Sequence, residues 1–168
     1  MAKLKFKGTE VNTIGEIPKI GNLVQFKNLV KNNLEVVHVE NYNNKVKVLN
    51  IFPSIDTGVC AASVREFNKL AADMKDTVVL NISMDLPFAQ ARFCAAEGIK
   101  NCETLSGFCS QFGEQLGLKL IDSPLKGLYA RAVVILSGDN KVIHTELVSD
   151  IANEPNYQLA LKTLNELN

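Results

Sequence analysis

The sequence predicts an α/β fold with a central mixed sheet and helices on both faces. Residues 46–52 (VKVLNIF) and 78–83 (VVLNIS) are nearly unbroken apolar runs, typical of buried central strands. The segment between them has helical apolar spacing, and a strand–helix–strand unit requires a parallel pair of strands. A clear hairpin nearer the C-terminus adds antiparallel strands to the sheet.

The composition is that of a globular chain. It has 168 residues, 46% of them hydrophobic and 21% charged, so we expect one domain spanning residues 1–168. The 18 Lys and Arg residues balance 18 Asp and Glu residues, which argues against a dedicated nucleic-acid binder. No apolar run approaches the ~18 residues that span a membrane, and no secretory leader is visible, so we expect a cytoplasmic protein that does not act on membranes.

The N-terminal quarter consists of short segments separated by turn-forming residues. Gly8, Gly15, Pro18 and Gly21 interrupt it, and Lys and apolar residues alternate over residues 3–7. This pattern predicts an N-terminal hairpin extension of the sheet.

Three helical segments are expected before the C-terminal hairpin. Residues 61–75 place apolar side chains three or four positions apart, at Val64, Phe67, Ala71 and Met74. A second helix begins near Pro87, a residue favoured in first turns, and ends at Gly98. A short third helix covers residues 108–116.

The C-terminal third contains the clearest hairpin in the sequence. Residues 132–136 (AVVIL) and 141–148 (KVIHTELV) flank the turn-forming residues Ser-Gly-Asp-Asn. A last helix follows Pro155 and has one apolar face, formed by Tyr157, Ala160, Leu161, Leu164 and Leu167. This order of elements is that of a thioredoxin-like fold with additional N-terminal strands.

The sequence contains four cysteines and two histidines. The cysteines are Cys60, Cys94, Cys102 and Cys109. In a reducing compartment these remain thiols. Their spacing does not match that of a zinc site, and His38 and His144 lie far from them along the chain, so we expect neither a metal nor a cofactor.

Cys60 has a chemically special position at the start of the first long helix. Amides in the first turn of a helix have no intrahelical partners, and the helix dipole places partial positive charge there, which favours a thiolate. The preceding loop also lies at the carboxyl edge of the sheet, where open α/β sheets bind ligands. From position alone, a reactive thiol and a small buried apolar side chain are equally well supported.

Three motifs strengthen the reactive interpretation. Pro53, Thr57 and Cys60 form a Pro-x-x-x-Thr-x-x-Cys pattern, and the segment PSIDTGVCAASVREFN resembles the peroxidatic motif of peroxiredoxins. Within that family it is similar to the bacterial thiol peroxidases, which are atypical two-cysteine enzymes. Residues 85–101 (DLPFAQARFCAAEGIKN) resemble their resolving-cysteine segment, and residues 123–136 (SPLKGLYARAVVIL) resemble their arginine-bearing segment.

The resemblance implies roles for four residues around the reacting atoms. Cys60 would be the peroxidatic thiolate, which attacks a peroxide oxygen and becomes a sulfenic acid. Thr57 would orient the sulfur and the peroxide, and Pro53 would shield the sulfenic acid from water. Arg131 would favour the thiolate and hold the charge that develops on the peroxide. Without the motif, Arg131 is better explained as part of a surface ion pair.

The resemblance also implies a catalytic cycle. Cys94 would be the resolving thiol, the Cys60–Cys94 disulfide would be reduced by thioredoxin, and the enzyme would be a homodimer acting on hydrogen peroxide or organic hydroperoxides. A disulfide requires Cα atoms within ~7 Å, so local unfolding must accompany its formation if the thiols lie farther apart. We expect the N-terminal hairpin and the loops around Phe88 to set the width of the substrate pocket.

Other interpretations remain open at this stage. A general thiol–disulfide oxidoreductase is disfavoured because Thr57 stands where a Cys-x-x-Cys motif needs its first sulfur. A binding protein regulated by a Cys60–Cys94 switch is a second alternative. Cys102 and Cys109 are expected to be bystanders, with Cys109 opening the short third helix.

Overall fold

A computed structural model describes residues 1–167 of the chain. The strands are β1 (Lys3–Phe6), β2 (Thr9–Asn12), β3 (Leu29–Lys31), β4 (Val36–Val37), β5 (Val46–Ile51), β6 (Thr77–Ser83), β7 (Glu103–Ser106), β8 (Ala132–Leu136) and β9 (Val142–Leu147). The helices are α1 (Gly58–Ala71), α2 (Pro87–Glu97), α3 (Phe112–Gln115) and α4 (Tyr157–Asn165). A 3₁₀ turn covers Val39–Tyr42.

The main sheet has seven strands in the order β4-β3-β7-β6-β5-β8-β9. The central β5–β6 and β6–β7 pairs are parallel, and the other pairs are antiparallel. The predicted α/β fold with a mixed sheet is therefore confirmed. The hairpin β1–β2 forms a separate two-stranded sheet.

One strand of the main sheet was not predicted: β7, which pairs with both β6 and β3. The predicted N-terminal hairpin extension is confirmed by β3 and β4, which pair with each other and form the edge of the main sheet beyond β7. The first hairpin, β1–β2, does not join this sheet and packs through Leu4 and Val11 against Leu120, Ala130 and Ile151.

Both faces of the sheet are covered. On one face, Phe67 of α1 and Ala160 of α4 pack with Val48, Val79 and Val133 of the strands. The opposite face is covered by α3, by the 3₁₀ turn and by loops, whose buried side chains include Phe26, Tyr42, Phe112 and Tyr129. The three longer helices, α1, α2 and α4, lie on the first face. Helix α2 covers β7 on the same side of the sheet as α1.

The observed ends of α1 and α3 differ from the predicted ones. α1 begins at Gly58, three residues before the predicted start, because Thr57 has the extended backbone of an N-cap residue. α2 runs as predicted from Pro87 until Gly98, whose φ of 65° closes the helix in the left-handed conformation. α3 is shorter than predicted, and Cys109 lies in the turn before it and does not open it.

The two histidines occupy different surroundings. His144 is in β9, half-buried, and burial lowers its pKa. His38 follows β4, where it precedes the 3₁₀ turn and its Nδ1 accepts a hydrogen bond from the Asn28 amide. Within residues 1–167, no cluster of three or more His, Cys, Asp or Glu side chains is arranged to hold a metal. The helices of that range are too short or too polar to cross a membrane.

Candidate active site

Cys60 lies in the first turn of α1 and is fully buried. Its side chain belongs to an apolar cluster with Phe52, Ile55 and Val64, against which Phe93 and Ile99 pack. The thiol is therefore a core side chain, and it stands at a helix N-terminus.

Arg131 is the charged group nearest to this sulfur. It precedes β8 and is only 2% exposed, so it is not the surface ion-pair partner that its position alone suggested. Its Nη2 donates to Cys60 Sγ at 3.2 Å, and its Nε donates to the Ile151 carbonyl at 2.8 Å. Its Nη1 is buried with no hydrogen-bond partner in the described part of the chain. One guanidinium can thus stabilise negative charge on the sulfur and still offer a donor to a second molecule.

The loop before α1 contains Pro53 and ends at Thr57, the N-cap residue of the helix that carries Cys60. Pro53 is buried, whereas Thr57 is exposed at the helix start. The Thr57 hydroxyl donates to the Ser54 carbonyl at 3.1 Å, so it is occupied by its own loop.

A cleft of about 460 Å³ opens above Arg131 and the loop before α1, and the fully buried Cys60 is not among the residues that line it. Its walls come from the hairpin β1–β2, the 53–59 loop, the 125–128 loop and residues 151–152, and Arg131 also lines it. The lining is mostly apolar, with Phe6, Leu125, Leu128 and Ile151 contributing side chains and Lys7 adding a second cation. The N-terminal hairpin lines the cleft as expected, but Phe88 does not: it lines a different cleft with Phe108 and Cys109.

Cys94 lies on α2 and is half-buried. Its sulfur is 3.6 Å from Thr104 Oγ1 and lines a separate cleft of about 290 Å³, which Cys102 also lines. Phe93, the preceding residue, is the one that packs against the Cys60 cluster. Both Cys60 and Cys94 are free thiols, and Cys60 does not line the cleft that holds Cys94.

An ion pair joins the two helices that carry these cysteines. Arg65 of α1 donates to both carboxylate oxygens of Glu97 of α2, at 2.7 and 3.1 Å. The hydrogen bonds from Arg65 hold the pKa of Glu97 below its ordinary value. Because both side chains are partly exposed, we expect this pair to position α2 more than to stabilise the fold.

A buried polar chain supports the first turn of α1, and the sequence analysis did not identify it. Ser63 Oγ donates to the Cys60 carbonyl at 2.8 Å, and Asn50 Nδ2 donates to Ser63 Oγ at 3.1 Å and to Asn81 Oδ1 at 2.8 Å. Asn81 Nδ2 in turn donates to Cys102 Sγ at 3.0 Å. The available signal was an Asn inside each of two apolar strands, because a polar side chain there needs a partner.

Cys102 has the surroundings of a structural thiol. It packs against the Phe67 cluster. Burial raises the pKa of Cys102 to about 12, against a smaller opposite effect of the hydrogen bond from Asn81. The protonated form, which is a poor nucleophile, is therefore strongly favoured at neutral pH.

Comparison with known proteins agrees with the motifs. Residues 15–161 match the Redoxin family. A thiol peroxidase from Corynebacterium glutamicum is 52% identical over 166 residues, covering 98% of this chain and 100% of that protein. The crystal structure of a peroxiredoxin-like protein from Aquifex aeolicus superposes with a TM-score of 0.94 at 34% identity, covering 100% of this chain and 98% of that one.

A further solved structure shows the same fold. A thiol peroxidase from Chromobacterium violaceum has a TM-score of 0.89 at 20% identity, covering 98% of this chain and 95% of that one. The fold, the relatives and the match to the family agree with the interpretation of the three sequence motifs. The chain therefore belongs to the Redoxin family and, within it, to the thiol peroxidases, which are peroxidase enzymes.

Proposed function

We propose that the protein reduces hydrogen peroxide and organic hydroperoxides through a Cys60 sulfenic acid, without a cofactor. The observation that carries the proposal is the hydrogen bond of 3.2 Å from Arg131 Nη2 to the buried Cys60 sulfur. The thiolate attacks the terminal peroxide oxygen and the O–O bond breaks. The oxygen stays on sulfur, and the other fragment takes up a proton and leaves as water or an alcohol.

Arg131 acts on both partners of this displacement. Its Nη2 stabilises the thiolate, and its unpaired Nη1 donates to the peroxide, on which negative charge grows as the O–O bond breaks. The bond from Nε to the Ile151 carbonyl fixes the plane of the guanidinium. The donors are therefore oriented before the substrate arrives.

Thr57 and Pro53 act from the loop that lines the cleft. The Thr57 hydroxyl now donates to Ser54 O, and a small rotation of its side chain lets it bond a peroxide oxygen instead. Pro53 brings no backbone N–H to the cleft, and its ring limits access of water to the sulfenic acid.

Cys94 resolves the sulfenic acid in the next step. The Cys94 thiol loses its proton, and the thiolate attacks the Cys60 sulfur. The S–O bond breaks, the leaving hydroxyl group takes up a proton and departs as water, and an intramolecular disulfide forms. Because Cys60 is fully buried and does not line the cleft that holds Cys94, α2 or the loop before α1 must move first. Within α2 only Pro87 and Gln90 are buried, so local unfolding of this helix costs little packing energy.

A thiol reductant then completes the cycle. We propose that thioredoxin supplies the two electrons that return Cys60 and Cys94 to thiols. We also infer a cytoplasmic homodimer with one domain over residues 1–168, which rests on the family resemblance and on the free thiols.

A coupled assay tests the proposal. The reduced protein is mixed with thioredoxin, thioredoxin reductase and NADPH, and NADPH oxidation is followed after addition of hydrogen peroxide or an alkyl hydroperoxide. We expect oxidation with both peroxides and a Cys60–Cys94 peptide in non-reducing mass spectrometry. Failure to consume either peroxide would refute the peroxidase mechanism, whereas turnover with dithiothreitol but not with thioredoxin would refute only the reductant.

A further inference from the structure

The carboxylate of Asp85, in the turn between β6 and α2, binds the loop that precedes Cys60. Its Oδ1 accepts a hydrogen bond from Ser54 Oγ at 2.8 Å. Its Oδ2 accepts from the Ile55 amide at 2.7 Å and from Ser83 Oγ at 2.6 Å. A half-buried carboxylate with three donors is a strong anchor, because hydrogen bonds to a charged acceptor are stronger than neutral ones.

Asp85 is bonded to the ends of two strands. Its backbone carbonyl accepts a hydrogen bond from Ser106 Oγ, at the end of β7, and its Oδ2 accepts from Ser83 Oγ, at the end of β6. Gln90 of α2 is buried and donates to Ser83 Oγ at 3.1 Å and to the Leu105 carbonyl at 3.0 Å. Asp85 thus joins the loop before α1 to the ends of β6 and β7, and α2 is linked to the same network through Ser83.

The anchor extends by a short path toward the reacting sulfur. Ser54, held by Asp85 through its hydroxyl, offers its carbonyl to the Thr57 hydroxyl. Thr57 is the N-cap residue of α1, and Cys60 lies in the turn that follows. We propose that Asp85 is a positioning residue of the peroxide reaction and also a latch that holds the loop and α2 in the arrangement with separate thiols.

This inference rests on the proposed function, because it takes Cys60 as the nucleophile and Cys94 as the resolving thiol. The two steps make opposite demands on the loop. The peroxide step needs the sulfur fixed beside Arg131 Nη2, and a misplacement of about 1 Å can cost about 100-fold in rate. The disulfide step needs the loop or α2 to move, so the same anchor opposes it.

The test measures both steps separately in single-turnover experiments on Asp85→Ala, Asp85→Asn and Ser54→Ala. Rapid quenching followed by mass spectrometry gives the loss of the Cys60 thiol, the sulfenic acid trapped by a dimedone-type reagent and the disulfide. In Asp85→Ala we expect the peroxide step to slow about 10- to 100-fold and the disulfide step to become faster.

The conservative variants grade this effect. An Asn at this position keeps one oxygen for the Ile55 amide and can donate its amide hydrogen to Ser54 Oγ, so Asp85→Asn should recover much of the peroxide rate. Ser54→Ala breaks one of the three bonds and should change both steps in the same directions by a smaller factor. Asp139→Ala is the control, since Asp139 also contacts a serine hydroxyl and lies beyond the far end of β8 from Arg131. It should leave both steps unchanged.

The outcomes separate this proposal from a purely structural role. If Asp85→Ala lowers the melting temperature while the folded protein keeps wild-type rates in both steps, Asp85 only stabilises the fold and the proposal is wrong. If Asp85→Ala does not fold, wild-type rates in both Asp85→Asn and Ser54→Ala overturn it equally. Failure of the proposed function has a different signature: wild-type protein would then show no peroxide-dependent loss of the Cys60 thiol.

Discussion

The environments of Cys60 and Cys94 differ in almost every physical respect. Cys60 is fully buried among apolar side chains and receives a hydrogen bond from a buried guanidinium. Cys94 is half-buried, and its sulfur lies near the Thr104 hydroxyl in a cleft that Lys31 and Asn32 also line. One thiol is fixed in place beside a permanent charge, and the other is held by few contacts.

The helices that carry them differ in the same direction. α1 buries five residues, Cys60, Ala61, Ser63, Val64 and Phe67. α2 buries Pro87 and Gln90, and its apolar residues do not form one face. Because burial of apolar surface contributes roughly 25 cal/mol per Å², α2 has less to lose by unfolding locally. Under the proposed mechanism, rigid surroundings orient the reactive thiol Cys60, and the small buried surface of α2 lets Cys94 reach it.

The largest expected effect on activity comes from substitution of Cys60, the rigidly held thiol. Cys60→Ser should abolish peroxidase activity, because a serine hydroxyl does not ionise near neutral pH and is a poor nucleophile toward peroxide oxygen. The measurement is peroxide consumption in the coupled assay, with Cys109→Ser as the matched control at an exposed cysteine. Residual activity above about a few per cent would mean that the nucleophile lies elsewhere.

Cys94→Ser should leave the peroxide step intact and block the disulfide step. One equivalent of peroxide is consumed at the wild-type rate, the Cys60 sulfenic acid is trapped by a dimedone-type reagent, and turnover with thioredoxin is lost. Mass spectrometry of the trapped protein and the coupled assay measure the two parts. Normal cycling of this variant with thioredoxin would show that another thiol resolves the sulfenic acid.

Substitutions of Arg131 test how much of the difference between Cys60 and Cys94 is due to the fixed charge beside Cys60. Arg131→Lys keeps the charge but loses the planar group that bonds Cys60 Sγ and Ile151 O together, so the peroxide step should slow about 10-fold. Arg131→Met loses the charge as well, and a decrease of about 100-fold is expected. Stopped-flow kinetics at neutral pH measure both. Arg65→Lys is the control, at an arginine that pairs with Glu97, and equal rates in all four proteins would make Arg131 structural only.

The strong periodic segments were predictable from sequence, and the weak ones were not. β5, β6, α2 and the β8–β9 hairpin were predicted within a few residues because their apolar runs, Pro87 and Gly98 are unambiguous. β7 is four residues long, reads ETLS, and exists because β3 and β6 pair with it on both sides. Such a strand is specified by tertiary context and not by its own residues.

The residues of the candidate site were likewise predictable only where local sequence determines their position. Cys60 could be located from the strand–loop–helix pattern, since position within a helix is a local property. The burial of Arg131 depends on the Ile151 carbonyl, which is brought close only by the fold. The orientation of the Cys94 side chain could not be predicted either, because α2 has no apolar periodicity from which to assign an inward face. Asp85 was missed because two of its three donors, Ser54 Oγ and the Ile55 amide, lie 31 and 30 residues earlier in the chain and are brought close only by the fold.

The smallest expected effect on activity concerns Cys102. Cys102→Ala should keep near-wild-type turnover, because its thiol is protonated at neutral pH and bonded to Asn81, outside the cleft that Arg131 lines. In the native protein, Cys102 should react with iodoacetamide more slowly than the exposed Cys109. Peptide mapping of the alkylated protein measures this, and a dominant Cys60–Cys102 peptide after peroxide treatment would contradict it.

The raised pKa of Cys102 predicts how the free energy of unfolding depends on pH. Burial raises the pKa of Cys102 to about 12, whereas an unfolded cysteine ionises near ~8.5. The unfolded chain therefore loses this proton first as the pH rises, so the contribution of Cys102 is fully present below about 8.5 and declines between about 8.5 and 12. Urea unfolding at pH 7 and pH 10 measures the effect as a difference between wild type and Cys102→Ala. The wild type should lose more stability than the variant over that interval, and an equal loss would mean that the thiol ionises in the folded protein as readily as in the unfolded chain.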